Sequence, residues 1–143
     1  MEVINDLLNY DGLKIVQDTE GFKFSLDSVL LANFVKIKKT KTKLIDLCAG
    51  NIPIPLILSK NKNLEIYAVE LQKKVFKQAE KTLKINNLKN IILINEDVKN
   101  INNKFETDTF DIITCNPPFF KYSEKTNSIK NKMKSIAKHE IEI

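Results

Sequence analysis

The sequence predicts an α/β domain built on a doubly wound parallel sheet, and three observations carry that prediction. Four short apolar runs, at 43–48, 65–69, 91–94 and 110–114, are bounded by polar segments as buried strands are. Helical patterns lie between them, and strands alternating with helices imply parallel pairing through right-handed crossovers. The chain has 143 residues, 43% of them apolar, which suits one core and one domain spanning 1–143.

Taken in order, residues 1–40 read as an N-terminal helical cap segment. Ser25 stands where an N-cap belongs, and Leu26, Leu30 and Phe34, with Leu31 and Val35, recur at helical spacing. Residues 41–120 form the expected βαβ core. Its first strand, 43–48, runs into a short helix at 53–59 with Pro53 in the first turn, where a missing donor costs little. After the second strand, Leu71, Val75, Ala79 and Leu83 recur every four residues among Lys and Gln until Asn86 and Asn87 stop the helix. The third and fourth strands follow at 91–94 and 110–114. Residues 121–143 make a Lys-rich tail with a weak helical pattern from 127 to 140.

Composition narrows the function. No apolar run approaches the roughly 20 residues of a membrane helix, and the N-terminus lacks the basic start of a signal peptide. The two cysteines, Cys48 and Cys115, end predicted strands without a CxxC spacing, which suits buried thiols in a reducing cytoplasm. All 23 basic residues are Lys, and the net charge is +5. The tail carries six Lys against Glu124, Glu140 and Glu142. Such a flank fits a polyanionic partner or an ordinary solvated surface.

Ligands of open α/β sheets bind outside the carboxyl ends of the strands. Here those ends present Asp46 and the 48–51 turn, Glu70, Glu96 with Asp97, and Asn116-Pro117-Pro118-Phe119. An acidic residue after the second strand, some twenty positions beyond a glycine turn, is placed to accept from ribose hydroxyls. The last corner has its own chemistry. An exocyclic amino nitrogen is a poor nucleophile while its lone pair is delocalised into the base. Two acceptors on its N–H groups, the Asn116 side-chain carbonyl and the Pro117 backbone carbonyl, favour a tetrahedral nitrogen. Consecutive prolines fix that carbonyl in advance. Phe119 offers a face on which a base can stack. The corner is an amino-group holder that needs no metal.

The segments FKFSLDSVLLANF (22–34), LIDLCAGNIPIPLIL (44–58), AVELQ (68–72), TCNPPFF (114–120) and SIAKHE (135–140) together resemble the class I S-adenosylmethionine-dependent methyltransferases. More narrowly, they resemble the bacterial tRNA1(Val) adenine-N6 methyltransferase family. The resemblance implies a Rossmann-like sheet ordered 3-2-1-4 with helices on both faces, ending before the strands 5–7 of the family. It implies N6-methylation of an adenine in RNA, with tRNA as partner and S-adenosyl-L-methionine as cofactor. By position, Asp46, Cys48 and Gly50 belong to the cofactor loop. Glu70 lies at the ribose, Asp97 and Val98 at the cofactor adenine, and Phe24 and Ser25 over its methionine end, with Leu71 among the cofactor-binding residues. Asn116, Pro117 and Phe119 hold the target base, and Asn116 also borders the cofactor. Related chemistry on DNA adenine, guanine-N2 or protein glutamine stays open, as does a non-enzymatic RNA-binding remnant.

Two features depart from the family. The loop pattern Asp-x-x-x-Gly-x-Gly has Ile52 at its second glycine. If the loop keeps the family path, that side chain is directed at the cofactor; the alternative is that Pro53 shifts the helix start and turns Ile52 into the core. The fourth strand is also expected to be an open edge, and hence a route to self-association.

Overall fold

Strands without polar alternation need cover on both faces, and this requirement organises the fold. The computed structural model describes residues 1–7, 10, 12–20 and 24–117, and the backbone of 120–121 and 139–140. Its central sheet consists of β3 (Thr42–Leu47), β4 (Leu64–Val69), β5 (Ile91–Ile94) and β6 (Ile112–Cys115), all parallel and ordered β5-β4-β3-β6. This is the predicted 3-2-1-4 order, and the predicted strand positions hold to within two residues.

Helices α2 (Pro53–Leu58) and α3 (Lys73–Asn86) are the crossovers from β3 to β4 and from β4 to β5. Both step the same way across the sheet, so right-handed connections place them on one face. Leu44, Leu64, Ile66 and Ala68 point to that face and pack with α2 and Ala79 of α3. Helix α1 (Leu26–Phe34) joins the same layer against α2. The opposite face carries Tyr67 of β4, and the 3₁₀ helix Val98–Asn103 follows β5. Beside them Tyr67, Phe105 and Phe110 make three edge-to-face contacts, with ring centroids 4.9–5.3 Å apart, a geometry the aromatic quadrupole favours.

Each helix has a local reason. All six residues of α2, PIPLIL, are buried, and its prolines fall in the first turn, where backbone donors have no intrahelical acceptor. Asn87 ends α3 in the left-handed region at φ 50°, and the Leu88 N–H returns to the Leu83 carbonyl at 3.2 Å. This is the 6→1 bond of a Schellman stop. In α1 the expected cap is not made. Ser25 occupies the N-cap position, but its hydroxyl donates to Asp27 Oδ2 at 3.3 Å instead of accepting a backbone N–H. The helix also turns its obvious apolar stripe outward, since Leu26, Leu30 and Phe34 are exposed while Ser28 and Ala32 are buried.

The N-terminal segment holds more than a helix. An antiparallel hairpin, β1 (Glu2–Asp6) and β2 (Lys14–Asp18), precedes α1. It docks on α3 by donating its free edge to side chains, with Val16 N–H to Thr82 Oγ1 at 3.0 Å and Lys14 N–H to Asn86 Oδ1 at 2.8 Å. Edge donors are thus satisfied without a further strand. Lys74, the Glu20 N–H and the terminal amine surround the Asp18 carboxylate and hold it well below the usual carboxylate range. The helical pattern read at 127–140 lies outside the described residues except at its end, where β8 (His139–Glu140) pairs in parallel with β7 (Phe120–Lys121). Residues 139–140 are therefore extended, because pairing with β7 competes with the weak helical signal.

Candidate active site

The carboxyl ends of β3, β4, β5 and β6 share one rim, because all four strands run parallel. On β3, Asp46 is almost fully buried and accepts from the Thr114 hydroxyl at 2.6 Å, across the register pair the two residues form. Its other oxygen, Oδ2, is buried without a partner. Burial in a place with only one donor pushes this carboxyl up to about 8.

After β3 the chain turns sharply, with Cys48, Gly50 and Ile52 all at positive φ (59°, 59° and 65°). A Cβ added at Gly50 would meet nothing within 4 Å, so the space beside it is open. Glu70, just past β4, reaches into this turn. Its Oε2 accepts from the Gly50 N–H at 2.9 Å and its Oε1 from the Gln72 N–H at 2.7 Å. Desolvation raises the Glu70 carboxyl, and the two backbone donors work against that rise. Each oxygen retains a lone pair for a further donor. Leu71 follows, half-exposed on the rim.

Ile52 overturns the expectation of a side chain aimed at a ligand. It is 0% exposed and packs within the main apolar cluster, among α2 and the sheet. The backbone keeps the left-handed conformation for which glycine is the usual choice, and that conformation turns the branched side chain inward. Pro53 starts α2 immediately afterwards. The cost is local strain rather than an obstructed site.

Beyond β5, Asn95 donates to the carbonyls of Glu70 and Leu71 at 2.8 and 3.0 Å and ties the second and third strand ends together. Asp97 caps the 3₁₀ helix by accepting from the Lys99 N–H at 3.0 Å, and Val98 opens that helix, half-buried. At the end of β6, Asn116 Nδ2 donates to Ser28 Oγ of α1 at 3.2 Å. Ser28 is buried, so the amide is anchored through its nitrogen. Among the described residues nothing donates to its carbonyl oxygen. Pro117 follows, half-buried; Pro118 and Phe119 lie outside the described residues. Phe24 packs on the core edge and Ser25 opens α1, the helix whose Ser28 meets Asn116.

Sequence reasoning did not find Ser28, Thr114 or Asn95. Thr114 had a signal, one hydroxyl in an otherwise apolar strand. Ser28 had none, since it is 88 positions from its partner.

A parallel sheet in this order, with an acid or amide at every strand end and a glycine turn after the first, has the class I methyltransferase architecture. Solved structures agree on the fold. The delta-N METTL16 MTase domain superposes with a TM-score of 0.67 at 22% identity, covering 83% of this chain and 56% of that one. The profile of the Methyltransferase small domain family matches residues 24–142, and the chain belongs to that family. Among curated relatives, a tRNA1(Val) (adenine(37)-N6)-methyltransferase of Haemophilus influenzae (strain PittGG) is 32% identical over 128 residues, 87% of this chain and 53% of the relative. A release factor glutamine methyltransferase of Thermodesulfovibrio yellowstonii is 34% identical over 89 residues, 62% of this chain and 31% of that protein. The chain spans about half the length of the tRNA methyltransferase relatives it matches. Among the described residues no helix is long and apolar enough to cross a membrane.

Proposed function

We propose that this chain carries the cofactor site and amino-group holder of a cytoplasmic S-adenosyl-L-methionine-dependent methyltransferase that modifies N6 of an adenine in tRNA. The observation that carries the reading is the Asn116 carboxamide, held by its nitrogen on Ser28 at the end of β6, with no donor to its oxygen among the described residues. An acceptor fixed in this way suits an exocyclic amino group better than it suits a hydroxyl or thiol nucleophile awaiting a general base.

Several features of the rim support this cofactor. The open space at Gly50 and the spare lone pairs of Glu70 suit a ligand with ribose hydroxyls, and the unpartnered Asp46 Oδ2 leaves a polar group for its other end. When bound, S-adenosylmethionine supplies an electrophilic methyl group. This chain's residues would do the remainder. Glu70 would accept from the ribose, Asp46 with the 48–50 turn would meet the methionine end under Phe24 and Ser25, and Leu71, Asp97 and Val98 would border the adenine. Asn116 and the Pro117 carbonyl would hold the target amino N–H groups, with Phe119 stacked on the base. As the amino nitrogen takes the methyl group, the preorganised acceptors would stabilise the positive charge developing on it, the sulfonium S–C bond would break to leave a neutral thioether, and the amino proton would pass to solvent.

A tRNA substrate is supported by the names of the relatives covering most of this chain and by the Lys-rich flank after residue 121. Protein glutamine is the second reading, because a release factor methyltransferase matches at similar identity over a shorter stretch. The experiment is to incubate the chain with methyl-labelled S-adenosylmethionine and either unmodified bacterial tRNA or a glutamine-containing release factor peptide. Label recovered as N6-methyladenosine supports the proposal. Label on the peptide alone, or no binding of the cofactor by calorimetry, overturns it.

A further inference from the structure

Two thiols stand between the cofactor loop and the amide corner, and nothing in the proposed chemistry uses them. Cys115 is the last residue of β6, and its register partner on β3 is Leu47, the residue before Cys48. Strands about 4.8 Å apart with a one-residue stagger of about 3.3 Å place the two Cα atoms roughly 6 Å from each other, within the span of a disulfide. Ordinary alternation would send the Cys48 side chain to the opposite face from Cys115. The left-handed φ of 59° at Cys48 breaks that alternation, and the two thiols lie near enough to shift each other's ionisation. Both cysteines are free, with Cys115 exposed and Cys48 half-buried.

Their reactivities differ. The neighbouring Cys48 thiol brings the Cys115 thiol down to about 7, against the opposing effect of partial burial. The Cys115 thiol in turn, with burial and the nearby Glu70 and Asp46 carboxyls, pushes the Cys48 thiol up. An accessible thiol of thiolate character beside a resolving thiol is the arrangement that peroxide-sensitive cysteines use.

We propose that Cys48 and Cys115 form a peroxide-reactive dithiol site that closes to an intrachain disulfide and fastens the 48–52 turn to the Asn116 corner. The Cys115 thiolate attacks one oxygen of hydrogen peroxide, the O–O bond breaks, and hydroxide leaves to take up a proton as water. The Cys115 sulfenic acid is then attacked by Cys48 as it loses its proton. The S–S bond forms, the S–O bond breaks, and a second water departs. Two electrons pass from the thiol pair to the peroxide, and a dithiol reductant reverses the change by exchange. If the Proposed function holds, the cross-link lies where cofactor and target amino group must meet, so oxidation weakens S-adenosylmethionine binding by about tenfold or more.

The test treats the reduced, native chain with limiting hydrogen peroxide, then denatures it in N-ethylmaleimide and measures intact mass. The expected result is a monomer lighter by about 2 Da that takes up no maleimide, and dithiothreitol restores two reactive thiols. In Cys48→Ser, Cys115 should instead gain oxygen stepwise or form a mixed disulfide with added glutathione. Two maleimides on the peroxide-treated wild type, interchain dimers alone, or sulfinic acid at Cys115 forming as fast as in Cys48→Ser would each overturn the proposal. Calorimetry with S-adenosylmethionine separates the two readings. A reduced chain without affinity counts against the cofactor reading and leaves the mass result to decide the disulfide, whereas equal affinity in both redox states refutes the link to the cofactor turn.

Discussion

Replacing Ile52 by alanine and by glycine sets two effects against each other at one residue. Ile52 is completely buried in the main apolar cluster, yet its backbone sits at φ 65°, ψ 39°. Truncating a buried isoleucine to alanine costs about 2–5 kcal/mol in transfer and cavity terms, and the alanine still carries a Cβ in the left-handed region. Glycine removes nearly the same packing but relieves about 1–2 kcal/mol of that strain, against about 0.5–1 kcal/mol of extra chain entropy. The glycine variant should therefore be destabilised relative to wild type, yet more stable than the alanine variant by about 0.5–1 kcal/mol. This inverts the order found within an ordinary helix, where glycine is worse than alanine by about 1 kcal/mol. Thermal melts followed by circular dichroism should separate the two by about 2–4 °C. Because the side chain faces the core, calorimetry should find S-adenosylmethionine affinity unchanged in the alanine variant. An alanine variant that melts above the glycine variant, or a glycine variant as stable as wild type, would refute the reasoning.

Two further outcomes follow from the same geometry. Burial keeps Asp46 protonated up to about 8, whereas an unfolded aspartate releases its proton near pH 4. The folded state therefore binds the extra proton between those values, and stability falls as pH rises from about 4 to about 8. Asp46→Asn should remove that slope and gain about 2–4 kcal/mol near pH 7, while weakening S-adenosylmethionine; an unchanged slope in urea titrations across pH would contradict the assignment. Among the described residues β6 is an edge strand with Ile113 65% exposed, so the chain should self-associate with concentration. Ile113→Lys should suppress that association, and equal sedimentation of the two proteins would argue against the edge as the contact.

The parallel core was legible because β3 and β4 are largely buried and so read as apolar runs, a pattern that 91–94 and 112–115 share although Ile92 and Ile113 are exposed. The stop at Asn87 was legible because a left-handed cap has few residue choices. The hairpin was not, since EVIND and KIVQD mix polar and apolar residues and the surface that completes them, Thr82 and Asn86, lies 66 and 72 positions away. Ile52 shows how far a motif reaches. The pattern marked a glycine position correctly, but whether its side chain meets ligand or core depends on the turn and on Pro53. At the rim, strand ends located Asp46, Glu70, Asp97 and Asn116 without help from tertiary structure. The contacts that orient them, from Thr114, the Gly50 N–H and Ser28, come from other elements and leave little trace in local sequence.

Methyl transfer to tRNA by wild type and Asn116→Ala, with S-adenosylmethionine affinity measured on the same preparations, tests the central claim most directly. The loss of one preorganised acceptor should lower formation of N6-methyladenosine by on the order of 10²-fold or more, with cofactor affinity and the far-UV spectrum nearly unchanged. Full activity in the alanine variant would contradict the account and remove the β6 corner from the chemistry.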